Sequence, residues 1–258
     1  MDENPFLFGT MALFPEKSRT DVKRELKAIY GPQPDDINLK PEAHLFDGNI
    51  HFYHPVDEDK VIHEGELRLR PSINMFYSSQ FKEALEQGSF GTPLVPTPPI
   101  DAEDSVYGRT WAAKFIRSPL GTVNVNNDLL QMADTLCKQR GMYPNSTNRC
   151  KIFLAVPPKC YPWLIAKSEN LSSSALDVAK SSLGGLEVVQ IPELECDDGN
   201  YGMMVVESAL HGRAGYFVYD TKCKIAHASK DRKRFKIKAK IRGLIITNPK
   251  QIVVMKGI

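Results

Sequence analysis

The chain has 258 residues, 42% hydrophobic and 25% charged, with 33 Lys and Arg against 31 Asp and Glu and a formal net charge of +2. That length builds one large domain or two modest ones around a true core, and the composition is ordinary for a globular protein. No apolar run reaches the roughly 18 residues of a membrane-crossing helix, the opening MDENPFLFGTMALF begins with acids rather than a basic signal region, and the five scattered cysteines, none in a CxxC pair, read as buried thiols in a reducing compartment rather than a disulfide framework or zinc site.

In chain order, residues 1–42 read as an arm with one short helix. Thr20 and Asp21 suit its start, Val22, Leu26 and Ile29 share a face, and Gly31-Pro32 breaks it before Pro34 and Pro41. Residues 49–54 and 60–70 are predicted to be two strands around the polar tip Val56-Asp57-Glu58-Asp59, a hairpin on which Glu66, Arg68 and Arg70 alternate with Leu67 and Leu69. A short helix is predicted at Ser79 to Gln87, and PLVPTPPI from Pro93 to Ile100 as an extended connector. Thr122 caps a predicted helix on which Val125, Leu129, Met132, Ala133, Leu136 and Cys137 line one side, closed by Gly141. Lys151 to Val156 is a strand stopped by Pro157-Pro158. A short helix follows from Tyr161 to Lys167, then a helix from the caps at Ser172 to Ser174 through Ser182, ended by Gly184-Gly185. Leu186 to Ile191, Met203 to Val206 and Tyr216 to Tyr219 are further strands.

The last stretch breaks the charge balance. Lys222 to Ile258 holds 12 of the basic residues and one acid, Asp231, a formal +11; the 221 residues before it hold 21 basic and 30 acidic, a formal −9. In Phe235-Lys236-Ile237-Lys238-Ala239-Lys240-Ile241 apolar and Lys residues alternate strictly, so a strand here has one apolar face and one row of ammonium groups. Three readings follow: a solvated edge strand that resists pairing by repulsion, a polyanion-binding surface, or a surface that docks on the acidic body of other copies.

Catalytic chemistry is thin. There is no phosphate-binding GxxxxGK[ST] loop, no dinucleotide GxGxxG and no GxSxG elbow. His44, His51, His54 and His63, with Asp47 and Glu64, are the one metal-like group, the basis of a metal-hydrolase reading. His51 and His54 would face opposite sides of a strand, and exposed imidazoles on a polar hairpin are the simpler reading. Glu207 with His211, and Asp128 with Asp134, are carboxylate candidates on helices, better explained as surface charge. Tyr161 and Trp163 read as core filling rather than a stacking platform. No nucleophile, base and orienter form a set.

The order of segments from Thr122 to Ile258 resembles the major capsid proteins of tailed bacteriophages of the Hong Kong 97 type. The resemblance rests on a strand running into a Pro-Pro turn and an aromatic short helix (Pro157, Pro158, Tyr161, Leu164), a GLEVV…PELE segment (Gly185, Leu186, Glu187, Val188, Pro192, Leu194) and a closing Gly243, Pro249, Gly257, Ile258 pattern. The front 120 residues match in layout.

The resemblance implies an α+β Hong Kong 97-type capsid fold in four stretches. These are an N-terminal arm (1–42), an extended β-hairpin loop with part of a peripheral β-sheet domain (43–120), an axial α/β domain (121–220), and C-terminal peripheral strands (221–258). It implies a major capsid protein that self-assembles through pentamers and hexamers into an icosahedral head shell enclosing double-stranded DNA. Scaffold, portal or decoration proteins are the other partners, DNA is held non-specifically, and there is no membrane partner. Assembly takes place in the host cytoplasm and the product is the virion. It implies no cofactor, catalytic residue or metal. The contact residues it suggests are the basic row Arg232, Lys233, Arg234, Lys236, Lys238, Lys240 and Arg242, and Glu64, Glu66, Arg68 and Arg70 on the hairpin. Two alternatives are an encapsulin-like nanocompartment shell and a nucleic-acid-binding protein using Lys222 to Arg242.

Overall fold

The computed structural model of the chain describes residues 8–31, 42–98, 106–140, 150–208 and 212–258. Two β-sheets share one long helix. The first sheet has the order β1-β7-β8-β2, from β1 (Glu16–Ser18), β7 (Gly215–Ala228), β8 (Arg234–Ile246) and β2 (His44–His51); β1 joins β7 in parallel and the other pairs are antiparallel. The second contains β4 (Glu187–Gln190), β3 (Cys150–Val156), β6 (Gly199–Ser208) and β5 (Glu195–Cys196) in that order, with β9 (Ile252–Lys256) also on β6. β3, β6 and β9 of the second sheet are buried on both faces over most of their length, which accounts for their near-continuous apolar runs. Phe153, Ala155, Met203, Val205 and Val254 face one core; Ile152, Leu154, Val156, Met204, Val206 and Val253 face another.

The helix between the sheets is α3, Glu58–Glu86, 29 residues and therefore about 43 Å long at 1.5 Å per residue. Its buried positions are Val61, Gly65, Leu69, Ile73, Tyr77, Phe81 and Leu85, with Asn74 beside them. They recur every four residues, and each such step overshoots a full turn by about 40°. The apolar stripe therefore winds around the helix, so successive turns face different partners. Near its start the stripe lies on the first sheet: a Cβ on Gly65 would sit 2.6 Å from Cys223 Sγ and 3.1 Å from Ile237 Cδ1, so only glycine lets the helix approach this closely. Near its end it packs on Phe14 and Phe90, with ring centroids 6.0 and 5.5 Å from Phe81.

The second core lies under α5 (Gly121–Arg140) and α7 (Ala175–Leu183). A full capping box holds the start of α7: Ser174 and Asp177 each accept from the other's backbone N–H, at 3.2 and 3.0 Å. Gly184 closes it in the left-handed region, φ 67°. In this core a fully buried ion pair joins α4 (Trp111–Arg117) to α5: Lys114 Nζ lies 2.5 Å from Asp128 Oδ2, and both side chains are 0% exposed. Trp111 Nε1 donates to the same carboxylate at 2.9 Å and the Thr97 backbone N–H at 3.1 Å. Burial pushes the Asp128 carboxyl up and the Lys114 ammonium down, each opposed by the partner's charge.

The N-terminal elements tie the two sheets together. α1 (Phe8–Leu13) lies against β4, and α2 (Arg19–Tyr30), capped by Ser18, packs Val22 and Leu26 onto β7. Between them, Glu16 of β1 accepts from Arg70 at 3.1 Å and Tyr77 at 3.0 Å and pairs with Lys222 at 2.9 Å. Glu193, 3% exposed, sits where α1, α3 and the Pro192–Leu194 turn meet, and it accepts from Ser78 at 3.1 Å and Thr10 at 3.4 Å. Among the described residues no cation lies within ion-pair distance of it. Burial raises its carboxyl above the usual range against those hydrogen bonds. The native state thus holds this proton more tightly than the unfolded chain does. Stability falls as pH rises from the ordinary carboxylate value through the raised one, and is level above it. Glu193→Gln, which cannot ionise, is expected to flatten that part of the profile in denaturant titrations from pH 4 to 8. An unchanged profile in the variant would remove Glu193 as its source.

Several expectations change here. The predicted hairpin does not form: β2 is a single strand at residues 44–51, and residues 58–86, including both the predicted second strand and the predicted Ser79 helix, are all α3. Glu66-Leu67-Arg68-Leu69-Arg70 alternates by chance of composition, while the four-residue stripe around it carries the burial. Pro71 inside the helix removes one backbone donor without ending it. The boundary expected between residues 220 and 221 falls inside β7, and β9 joins the second sheet instead of completing the basic one. Gly141, His211, the stretch from Pro32 to Pro41 and the end of the Pro93–Ile100 connector lie outside the described residues.

Candidate functional site

β8 realises the alternation in the sequence. Phe235, Ile237, Ala239 and Ile241 are buried toward α3, while Arg234, Lys236, Lys238, Lys240 and Arg242 lie exposed or half-buried on the other face. The strand runs between β7 and β2, so the edge-strand reading is wrong: the ammonium row stands on an inner strand held by hydrogen bonds on both sides, a rigid platform.

Neighbouring strands neutralise the row unevenly. Asp220 of β7 takes Arg242 through two nitrogens, Nη2 at 2.8 Å and Nε at 3.1 Å, and lies 3.4 Å from Lys240. The Arg242 guanidinium holds the Asp220 carboxyl below its usual range. Asp47 of β2 stands opposite Lys238 in register yet pairs with Lys236, at 3.2 Å. Lys224 stands directly opposite Lys238 on the β7 side, and His227 opposite Lys236. No carboxylate lies within ion-pair distance of Lys224 or Lys238 among the described residues, so two ammonium groups face each other across the pair, an arrangement that destabilises a sheet. At the hairpin tip Arg232 pairs with Glu58 at 3.4 Å, and Asp231, the one acid of the tail, is spent on the turn, accepting from the Ser229 hydroxyl and from the Lys233 N–H at 3.3 Å.

A bulge ends the row. Gly243 has φ +91°, and the β7–β8 register slips between Val218 and Tyr219. Beyond it Ile245 turns to the formerly basic face and packs with Tyr216 and Val218 under Val22 and Leu26 of α2, while Leu244 and Ile246 pack toward α3. A Cβ on Gly243 would lie 2.9 Å from Gln80 Oε1. The outer face is thus half roofed by α2 and half bare and basic.

The other candidates scatter. Glu64 and Arg68 are exposed on α3, whereas Glu66 and Arg70 are half-buried and Arg70 is committed to Glu16. His44 stacks on Phe76 at 4.8 Å toward the helix, His51 is on the opposite face of β2, and His54 and His63 are exposed elsewhere. No group of three metal-ligating side chains occurs among the described residues. Glu207 lies on β6 rather than a helix and pairs with Arg213 at 3.1 Å; Asp134 pairs with Lys138 at 2.6 Å; Asp128 is the buried partner of Lys114; Trp163 stacks on Phe115 at 5.8 Å. Reading the sequence alone missed Lys224 and His227 as part of the platform. Lys222 and Lys224 are two apart and would share a face on a regular strand, but the β7 bulge sends Lys222 to Glu16 and leaves Lys224 outside.

Residues 77–257 match the family described as Pa193 gp26 major capsid protein. No curated protein matches at a significant level. Among solved structures, a phage-related protein from Bordetella bronchiseptica RB50 superposes with a TM-score of 0.57 at 10% identity, covering 98% of this chain and 92% of its own, which shows a shared fold. The capsid of Myoviridae phage XM1 (TM-score 0.45, 10% identity, 84% of this chain and 74% of that one) and the SrpI encapsulin of Synechococcus elongatus PCC 7942 (0.40, 10%, 84% and 74%) are similar only in outline.

Proposed function

The chain belongs to the Pa193 gp26 major capsid protein family, and from that premise we propose how its parts build a shell. It is a structural component of the virion, a tailed-phage major capsid protein that assembles with copies of itself into an icosahedral head, and it is not an enzyme. The finer arrangement is our reading. The first sheet with α3 is the peripheral body of a Hong Kong 97-type subunit, and the second sheet with α5 and α7 is the axial body, with pentamers and hexamers formed around double-stranded DNA. The separation into two cores, one holding α3 and the other lying under α5 and α7, supports this reading. In it, the bare basic half of the first sheet, with Lys236, Lys238 and Lys240, and the exposed Glu64 and Arg68 of α3 serve contacts between copies.

The observation that carries the function is the family match over residues 77–257. Electron microscopy of purified, concentrated protein is expected to show closed shells. A chain that stays strictly monomeric, also when co-expressed with its neighbouring phage genes, would sink the reading.

A further inference from the structure

We infer that the bare half of the first sheet, centred on Lys224 and Lys238, docks on carboxylates of a second copy, those at the C-terminal end of α3. The inference rests on the shell reading and names its contact.

The first support is the unneutralised pair. Two lysines stand directly opposite on inner strands, and their repulsion weakens the sheet. Asp220 and Asp47 discharge Arg242, Lys240 and Lys236 but leave Lys224 and Lys238 open. The neighbouring half of the same face is roofed by α2 and this half is not. A platform with its own repulsion is relieved when an anion arrives from outside.

The second support is where this chain keeps its own spare carboxylates. α3 runs alongside β8: Glu58 meets Arg232, Gly65 meets Ile237, and Phe76 and Gln80 meet Gly243. The helix then continues past the bulge to Glu83 and Glu86, both exposed. Asp197, on the β5–β6 turn, is exposed too; burial raises the Cys196 thiol, and the charges of Asp198, Glu86, Lys82 and Asp197 all act on it, which places these groups around one side chain. None of Glu83, Glu86 and Asp197 has an ion-pair partner among the described residues, although Glu83 accepts from the Gln80 and Gln87 side chains at 3.1 and 3.0 Å. Gly65 and Glu86 are separated by about 30 Å of helix. The platform and these three acids therefore lie toward opposite ends of α3, with the helix dipole in the same sense, while Asp59 and Glu64 near its start are exposed and without an ion-pair partner among the described residues too. The platform and the three acids cannot meet within one copy, so these lysines reach these carboxylates only across a contact between copies.

The test is charge exchange in the full chain, read as the assembled fraction by sedimentation and microscopy. Lys224→Glu with Lys238→Glu, and separately Glu83→Lys, Glu86→Lys and Asp197→Lys, are each expected to lower the assembled fraction about tenfold or more, since opposed like charges across a contact cost several-fold in affinity each. All five changes in one chain restore it to within about twofold. Lys224→Glu alone separates a docking role from a structural one. It replaces the repelling pair by an attracting one, so the unfolding midpoint of the subunit rises while assembly falls. Failure of the five-fold variant to recover, or full assembly of the Lys224→Glu, Lys238→Glu chain, overturns the inference while the shell reading stands on the wild-type shells. If that chain assembles fully but its shells lose nucleic acid by absorbance at 260 nm, the platform is a polyanion site instead, and the inference also fails.

Discussion

Replacing Asp128 by Ala is expected to cost about 3–5 kcal/mol of folding stability, the range for stripping one partner from a buried ion pair. Lys114 is 0% exposed, and the carboxylate 2.5 Å away is its one ion-pair partner among the described residues. The same change strands the Trp111 indole N–H and the Thr97 backbone N–H, both of which now donate to Asp128. Adding Lys114→Met removes the stranded ammonium and is expected to recover a large part of the loss, because an apolar replacement of both partners avoids the desolvation cost. Denaturant midpoints of the three chains measure this. A loss below about 1 kcal/mol in Asp128→Ala would mean that Lys114 reaches water by moving its side chain, and that the pair is not what joins α4 to α5.

The second large effect is at Phe81. Its ring is 0% exposed and forms a three-ring cluster with Phe14, from the segment before β1, and Phe90, beyond the end of α3. Phe81→Ala is expected to cost about 3–5 kcal/mol, from lost transfer energy and the cavity left behind. Met75→Ala, on the same helix but 71% exposed, is expected to cost under about 0.5 kcal/mol. Equal effects at the two positions would contradict the winding stripe, because only the stripe distinguishes them. Since Phe14 leads directly into β1, Phe81→Ala is also expected to speed proteolysis of the N-terminal segment before the rest of the chain unfolds.

The stripe explains why α3 was illegible. A helix that packs on one flat surface repeats its apolar positions at 3.6 residues, and that period is what sequence patterning detects. α3 touches two sheets in succession, so its buried residues step by four and no fixed face emerges. The exposed Leu67 and Met75 add apolar letters off the stripe, and Pro71 adds a false stop. By contrast α5 packs mainly over one core, and Val125, Leu129, Met132, Ala133 and Leu136 were readable as its buried side. α7 was readable for a different reason, since its capping residues and closing glycine are local signals.

The basic strand divides the same way. Its alternation, its buried face and the charge imbalance around it are properties of consecutive residues, and the sequence by itself determined them: period two along a strand leaves no other arrangement of Phe235 to Ile241. The family was likewise legible, because segment order is a one-dimensional property. Whether the strand lay at an edge or inside a sheet was not, nor which lysines would keep their charge uncompensated. Those depend on Asp220, Asp47 and Lys224, which reach the row from β7 and β2, and on bulges at Gly243 and within β7 that shift register by single residues. One slipped residue exchanges the faces of a strand, so the tertiary pairing alone decided which charges were neutralised and which were left for a partner.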